Sequence, residues 1–189
     1  VGPRRHLFET FADAINKLTL VDAGTSTVIS EVKLSKTRPV VVNNQPYVIS
    51  KKTVFNRIIG DSNLELRFAQ FLDSAKDVQA FAKNTRSVHF YMEYITATGE
   101  ISHSYPDFIV RDAGGQIYII ETKGLQDLDV VPKWNRLVQW CEDATSCSEN
   151  GQSYVPLFIS EEDFNEMETK VKTMARVAEL SKGRKPTGA

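Results

Sequence analysis

The sequence predicts a mixed α/β fold, with one mixed central sheet flanked by helices and a β-rich elaboration ahead of it. Three observations carry that prediction. Leu64, Phe68, Phe71, Leu72 and Ala75 recur at helical spacing; three strand-like runs over 88–95, 105–110 and 117–123 are joined by turns that contain glycine; and a helix, a strand and a further helix follow. Elements in that order build a sandwich around one sheet.

Residues 7–18 read as a helix. β-branched runs over 27–34, 39–42 and 47–49 come next, the last two separated by an Asn43-Asn44 turn. Ser62-Asn63-Leu64-Glu65 has the capping form S-x-x-E at the head of the first core helix. Val88, Phe90, Met92 and Tyr94 share one face of the first strand, Thr98-Gly99 turns the chain into the second, and Asp112 to Gln116 close a hairpin onto the third. Pro132 fits the first position of a helix with Trp134, Leu137, Val138 and Cys141 on one side. A short apolar strand spans 154–159. Ser160 then caps a final helix that turns Phe164, Met167, Val171, Met174 and Ala178 inward. The expected organisation is an N-terminal elaboration over 1–60, a core over 61–181 and a flexible tail over 182–189.

Composition narrows the class. The 189 residues carry 23 Lys+Arg against 24 Asp+Glu, a formal charge of -1, which excludes both a histone-like polycation and an acidic tail protein. Residues 61–131 nevertheless form an acidic block, with 6 basic and 11 acidic side chains. Apolar residues make up 41% and charged residues 25%, as in an ordinary cored domain. No apolar run approaches the roughly 20 residues that span a bilayer, and the opening VGPRRHLFETF lacks a signal-peptide core, so a soluble, cytoplasmic protein is expected. Because the chain opens on Val1 with no Met before it, it is also expected to be cut from a longer protein or processed. Cys141 and Cys147 match neither a CxxC motif nor a disulfide framework.

The chemistry concentrates in Tyr105-Pro106-Asp107-Phe108 and in Ile120-Glu121-Thr122-Lys123-Gly124. If the hairpin loop is Asp112 to Gln116, Arg111 pairs with Ile117 and the same register sets Asp107 opposite Glu121. Like charges at such a pair of positions destabilise a sheet. A hard divalent cation reverses that sign, since Mg²⁺ takes one or two carboxylates together with water and phosphate oxygens. The strand period of two puts Lys123 on the Glu121 face. Two acids, a cation and an ammonium suit phosphodiester hydrolysis, in which the metal activates a water and Lys123 stabilises charge on phosphorus. Glu65 would add a ligand directly or through water, and the Thr122 carbonyl another oxygen. E-x-K alone carries little, because Glu31-Val32-Lys33 and Glu168-Thr169-Lys170 repeat it, but only Glu121 has a Pro-Asp fourteen positions earlier across a hairpin.

These residues resemble the PD-(D/E)xK nuclease superfamily, most closely the endonuclease domain at the C-terminal end of the restriction subunit of type III restriction-modification enzymes. The resemblance rests on Glu65, on 104–110, on 119–124 and on a Lys- and Trp-bearing segment over 133–140, and it spans about 54–159. One departure is that Tyr105 directly precedes the Pro-Asp. The resemblance implies a restriction-endonuclease-like core with Asp107 and Glu121 as metal ligands, Lys123 as catalytic lysine and Glu65 as supporting acid. It implies Mg²⁺ as cofactor, with Mn²⁺ able to substitute, and DNA as substrate. It also implies a superfamily 2 helicase-type ATPase and a modification subunit as partners; no GxxxxGK[ST] occurs here, so the ATP site would lie outside this chain.

Lys133 and Arg136, one helical turn apart, and Lys51-Lys52 are the candidate DNA-backbone contacts, each set against the ordinary reading of solvated surface charge. Trp140 reads as core rather than a DNA contact, and His6, His89 and His103 form no ligand spacing. Cutting both strands would need two sites, so a second copy of the chain or a larger assembly is expected. A nuclease-like docking or DNA-clamping module is the competing class, and a nuclease of the same superfamily acting on DNA or RNA in repair or antiviral defence is a third reading.

Overall fold

A computed structural model describes residues 26–39, 41–123 and 129–186, apart from the side chain of Lys123. The helix expected over 7–18 and residues 187–189 of the expected tail lie outside the described residues. The fold is mixed α/β, with a mixed central sheet between helical layers.

The first strands are β1 (Tyr47–Val48) and β2 (Ile58–Ile59), paired antiparallel. Elsewhere in the described part of 26–60 there is one 3-10 turn, Leu34–Lys36, and a bridge from Thr53 to Phe81; the runs over 27–34 and 41–42 hold no strand. The β-rich character expected there is thus limited to four residues. Val28 and Ile29 show why: both are exposed, so their β propensity meets no packed face.

Helix α1 (Asn63–Ser74) begins as the capping pattern predicts. Ser62 Oγ accepts from the Glu65 amide at 3.2 Å, and Glu65 Oε2 accepts from the Asp61 amide at 3.0 Å. Its buried face is Leu64, Phe68, Phe71 and Leu72, as the spacing implies.

The central sheet has the order β3 (Val78–Lys83), β6 (Phe108–Asp112), β7 (Ile117–Lys123), β8 (Tyr154–Ser160), antiparallel at the first two junctions and parallel at the last. Strand β3 replaces the expected run over 88–95. That run divides into a 3-10 turn (Arg86–Val88), a left-handed His89 at φ 60° and β4 (Met92–Ile95), which pairs with β5 (Ile101–Ser104) in a separate two-stranded sheet. The expected strand over 105–110 starts only at Phe108, because Pro106 has no amide to donate. The hairpin forms as predicted: Arg111 pairs with Ile117, Gly115 turns at φ +86°, and Asp112 Oδ1 accepts from the Gln116 amide at 2.9 Å.

Helix α2 (Val130–Ser146) crosses from β7 to β8 and starts two residues before Pro132. Pro132 is tolerated because a first-turn amide has no intrahelical acceptor. The single final helix expected from the sequence is two, α3 (Glu161–Met167) and α4 (Met174–Ser181). Ser160 caps the first through the Asp163 amide at 3.1 Å. The second begins because Thr173 Oγ1 accepts from Arg176, while Asp77, just before β3, accepts from the Met174 and Ala175 amides at 2.6 and 2.8 Å. Asp77→Ala is expected to destabilise the fold by about 1–2 kcal/mol, measured by chemical denaturation.

Helices α1, α3 and α4 cover one sheet face through Phe68, Phe164, Met167, Met174 and Val177 over Phe81, Phe108, Val110 and Ile120. Helix α2 covers the other, where Leu137, Cys141 and Trp134 meet Ile117, Ile119 and Met92. Trp140 stands edge-on to Phe90 and Tyr154, in keeping with a core role. Burial, then the nearby charge of Glu142, pushes the Cys141 thiol up to about 12, so it stays a neutral core group at ordinary pH. The tail expected from residue 182 is held as far as Arg184, which donates from Nε to the Leu180 carbonyl and pairs with Asp163. Among the described residues no helix is long and apolar enough to cross a membrane.

Candidate active site

At the end of the sheet where β3 and β7 stop and β6 begins, four polar side chains meet. Lys83, the last residue of β3, donates from Nζ to Asp107 Oδ1 at 2.8 Å and to Glu65 Oε2 at 2.9 Å. The other oxygen of Asp107 accepts from the amide and the hydroxyl of Thr122 at 2.8 and 2.7 Å. The cluster is largely enclosed, with side-chain exposures of 4% for Lys83, 10% for Glu65 and 16% for Asp107. Burial by itself would lower the lysine's pKa, yet the charges of Asp107 and then Glu65, with their hydrogen bonds, hold Lys83 above its ordinary value. It is a cation shared by two acids.

The chain delivers these groups by simple means. The first turn of α1 supplies Glu65, whose Oε2 serves both the cap and Lys83. Asn84 fixes the approach to Asp107: its amide donates to the Asp107 carbonyl at 2.7 Å, and its Nδ2 donates to the Pro106 and Phe90 carbonyls at 2.8 and 2.9 Å. Asn84→Ala is therefore expected to cost about 1–3 kcal/mol, read from denaturant midpoints, through the carbonyls it leaves unpartnered.

Glu121 stands elsewhere. The β6–β7 ladder runs from Arg111↔Ile117 to Phe108↔Ile120, and one further step sets Asp107 across from Glu121, as expected. The side chains nevertheless part. Tyr118 and Ile120 face α1, whereas Ile117, Ile119 and Glu121 face α2, and Glu121 lines a small cavity with Ser104, Lys133, Trp134, Leu137 and Phe158. Asp107 turns the other way, towards Lys83 and α1. Lys123 ends β7 opposite Ser160, and its side chain lies outside the described residues.

Among the candidate DNA contacts, Lys133 shares the Glu121 cavity, with its ammonium 5.6 Å from the centre of the Tyr94 ring. Arg136 donates from Nε to the Glu93 carbonyl at 3.1 Å. Lys52 donates from Nζ to the Ala75 carbonyl at the end of α1, a capping role, and Lys51 is exposed beside it. The Lys51 and Lys52 amides both bond Asp73. Burial opposes ionisation of Asp73, but the Ser50 hydroxyl and these two amides outweigh it and hold its carboxyl below the usual value.

A divalent ion shared by Asp107 and Glu121 does not fit this arrangement. Mg²⁺ needs near-octahedral oxygens at roughly 2.0–2.1 Å. Asp107 Oδ2 is filled by Thr122, Oδ1 already faces an ammonium, and Glu121 points to the other face of the sheet. Among the described residues no group of three or more His, Cys, Asp or Glu is placed to hold a metal ion.

Compared with protein-family models, curated proteins and solved structures, the chain matches none.

Lys83 and Asn84 escape sequence reasoning. The run Val78-Gln79-Ala80-Phe81-Ala82-Lys83 shows no clean alternation, and a lysine at its end reads as a solvated charge. The one available signal is that Lys83 would need an acid partner if this short apolar run were a buried strand.

Proposed function

We propose that this chain is a DNA endonuclease domain with a restriction-endonuclease-like core, a Mg²⁺-dependent hydrolase of phosphodiester bonds. Its proposed setting is cytoplasmic, as the cleavage module of a type III restriction enzyme beside a superfamily 2 helicase-type ATPase and a modification subunit. The observation that carries this reading is the β6–β7 register, which brings the positions of Asp107 and Glu121 to one end of two adjacent central strands. The order of α1, antiparallel strands, crossover helix α2 and parallel β8 also supports it.

In this reading Asp107 and Glu121 are the acids of the site, Lys123 stabilises charge on the phosphorus, Thr122 sets the position of Asp107, and Glu65 is the supporting acid, paired with Lys83. A net charge of -1 gives weak phosphate neutralisation, so the DNA would be retained by the attached motor or by a second copy, with Lys133, Arg136 and Lys51 as local contacts. The test is nicking of supercoiled plasmid by the assembled enzyme at low salt. Cleavage should require Mg²⁺ or Mn²⁺ and should disappear in Glu121→Gln; cleavage that persists in that variant rejects the assignment.

A second reading draws on the Lys83 contacts. An Asp107 satisfied by Lys83 and Thr122 would also suit a catalytically silent module that docks in a complex or clamps DNA. An assembly that binds plasmid but never nicks it, with either metal, would favour the silent module.

A further inference from the structure

We propose that the outward face of the β4–β5 hairpin, with Tyr91, His103 and Tyr105, is a stacking platform for the bases of an unpaired DNA strand. The inference rests on the nuclease reading for its choice of DNA, and it adds where a single strand lies beside that site.

The hairpin alternates cleanly. Met92, Tyr94 and Ser104 are buried, while Tyr91, Glu93 and His103 are exposed on the other face. The register pairs Met92 with Ser104 and Glu93 with His103, so one further step sets Tyr91 across from Tyr105. The rings converge there: Tyr91 lies 4.5 Å from His103 and 5.7 Å from Tyr105 between ring centres, and His103 lies 6.5 Å from Tyr105. A lone exposed tyrosine would mean little, but three rings gathered on one open face, with Tyr91 42% exposed, make a patch. Asn84 holds the patch in shape. Its Nδ2 donates to the carbonyl of Phe90, just before Tyr91, and to that of Pro106, just after Tyr105.

The charge around the rings favours a nucleic acid. The guanidinium of exposed Arg86 stands 5.9 Å from the centre of the Tyr105 ring, and Arg136 of α2 donates from Nε to the Glu93 carbonyl at 3.1 Å. Glu93, an acid on this face, has Oε1 3.6 Å from His103 Nε2. Rings edged by guanidinium groups suit a single strand, because every base offers a π-face and every linkage a negative charge. A paired base hides its faces in the stack, so a duplex is the poorer ligand. Tyr105 precedes Asp107 by two residues, so a strand stacked here lies next to the candidate site.

The test is fluorescence anisotropy of a short labelled oligo(dT) with the full chain, at low salt and in EDTA, so that neither metal nor cleavage enters. The wild type is expected to bind oligo(dT) more tightly than the oligo(dT)·oligo(dA) duplex, and iodouracil placed in the strand should photocrosslink to Tyr91 or Tyr105. Tyr91→Ala and Tyr105→Ala should each weaken binding about fivefold or more, whereas Tyr91→Phe and Tyr105→Phe retain it, since stacking needs the ring and not the hydroxyl. If Tyr105→Ala does not fold, Tyr105→Leu keeps apolar bulk without a ring, and the same loss is expected. Rings that only brace the hairpin predict a lower melting temperature in Tyr91→Ala with oligo(dT) binding unchanged, and that result overturns the platform. So does duplex binding as tight as single-strand binding, tighter binding of oligo(rU) than of oligo(dT), or a chain that ignores oligo(dT) and forms dimers that Tyr91→Ala dissolves. Failure of the nuclease reading looks different: an assembly that never nicks plasmid while oligo(dT) binding stays ring-dependent rejects the nuclease and leaves the platform standing. Nicking that depends on Glu121, with oligo(dT) binding indifferent to the rings, rejects the platform alone.

Discussion

Under the proposed nuclease reading, Asp107→Asn in the full assembly is expected to lower plasmid cleavage by on the order of 10²–10³-fold or more while leaving the fold intact. The substitution is close to isosteric, so its carbonyl oxygen can still accept from Thr122. What disappears is the negative charge facing Lys83. Lys83 keeps Glu65 as a partner, so no buried charge is left alone, and the loss of activity should far exceed any loss of stability. Lys123→Ala is expected to remove cleavage as well. Single-turnover plasmid cutting, paired with melting curves of the same samples, separates these effects. Cutting that survives both substitutions would dismiss the assigned site.

The largest effect on stability is expected at Phe68. This side chain is fully buried on α1 and meets Phe108 and Phe164 at ring separations of 5.3 Å and Phe71 at 5.9 Å. It joins α1, the central sheet and α3, and truncation opens a cavity that no single neighbour can fill. Phe68→Ala should destabilise the chain by about 3–5 kcal/mol, which for a chain of this size lowers the melting temperature by roughly 10 °C. Ile29→Ala is the control: at 95% exposure it should shift stability by less than about 0.5 kcal/mol. Similar losses at the two positions would contradict the packing described for α1.

Local chemistry was legible wherever neighbours in sequence decide the structure. The Asp112-Ala113-Gly114-Gly115-Gln116 turn sets the hairpin register down to the Arg111–Ile117 pair, and the hydroxyls of Ser62 and Ser160 cap the helices that follow them. Strand β3 was not legible, because Gln79, Ala80 and Ala82 are weak strand formers and the strand is held by its partner β6 and by a covering helix. The break between α3 and α4 depends on Asp77, nearly a hundred positions away from the amides it accepts. In the site, the register was readable but the direction of the Asp107 side chain was not. That direction follows from Lys83 and Thr122, which lie 24 and 15 positions away and exert no pull until the sheet has closed.

The parallel β7–β8 junction also bears on the order of assembly. Strands β6 and β7 need only a short local turn to find each other, whereas β8 reaches its place only after α2 has folded across the sheet. During synthesis from the N-terminal end, the strand that bears Glu121 therefore has one bare flank until residue 160 has left the ribosome, a nascent edge open to wrong partners.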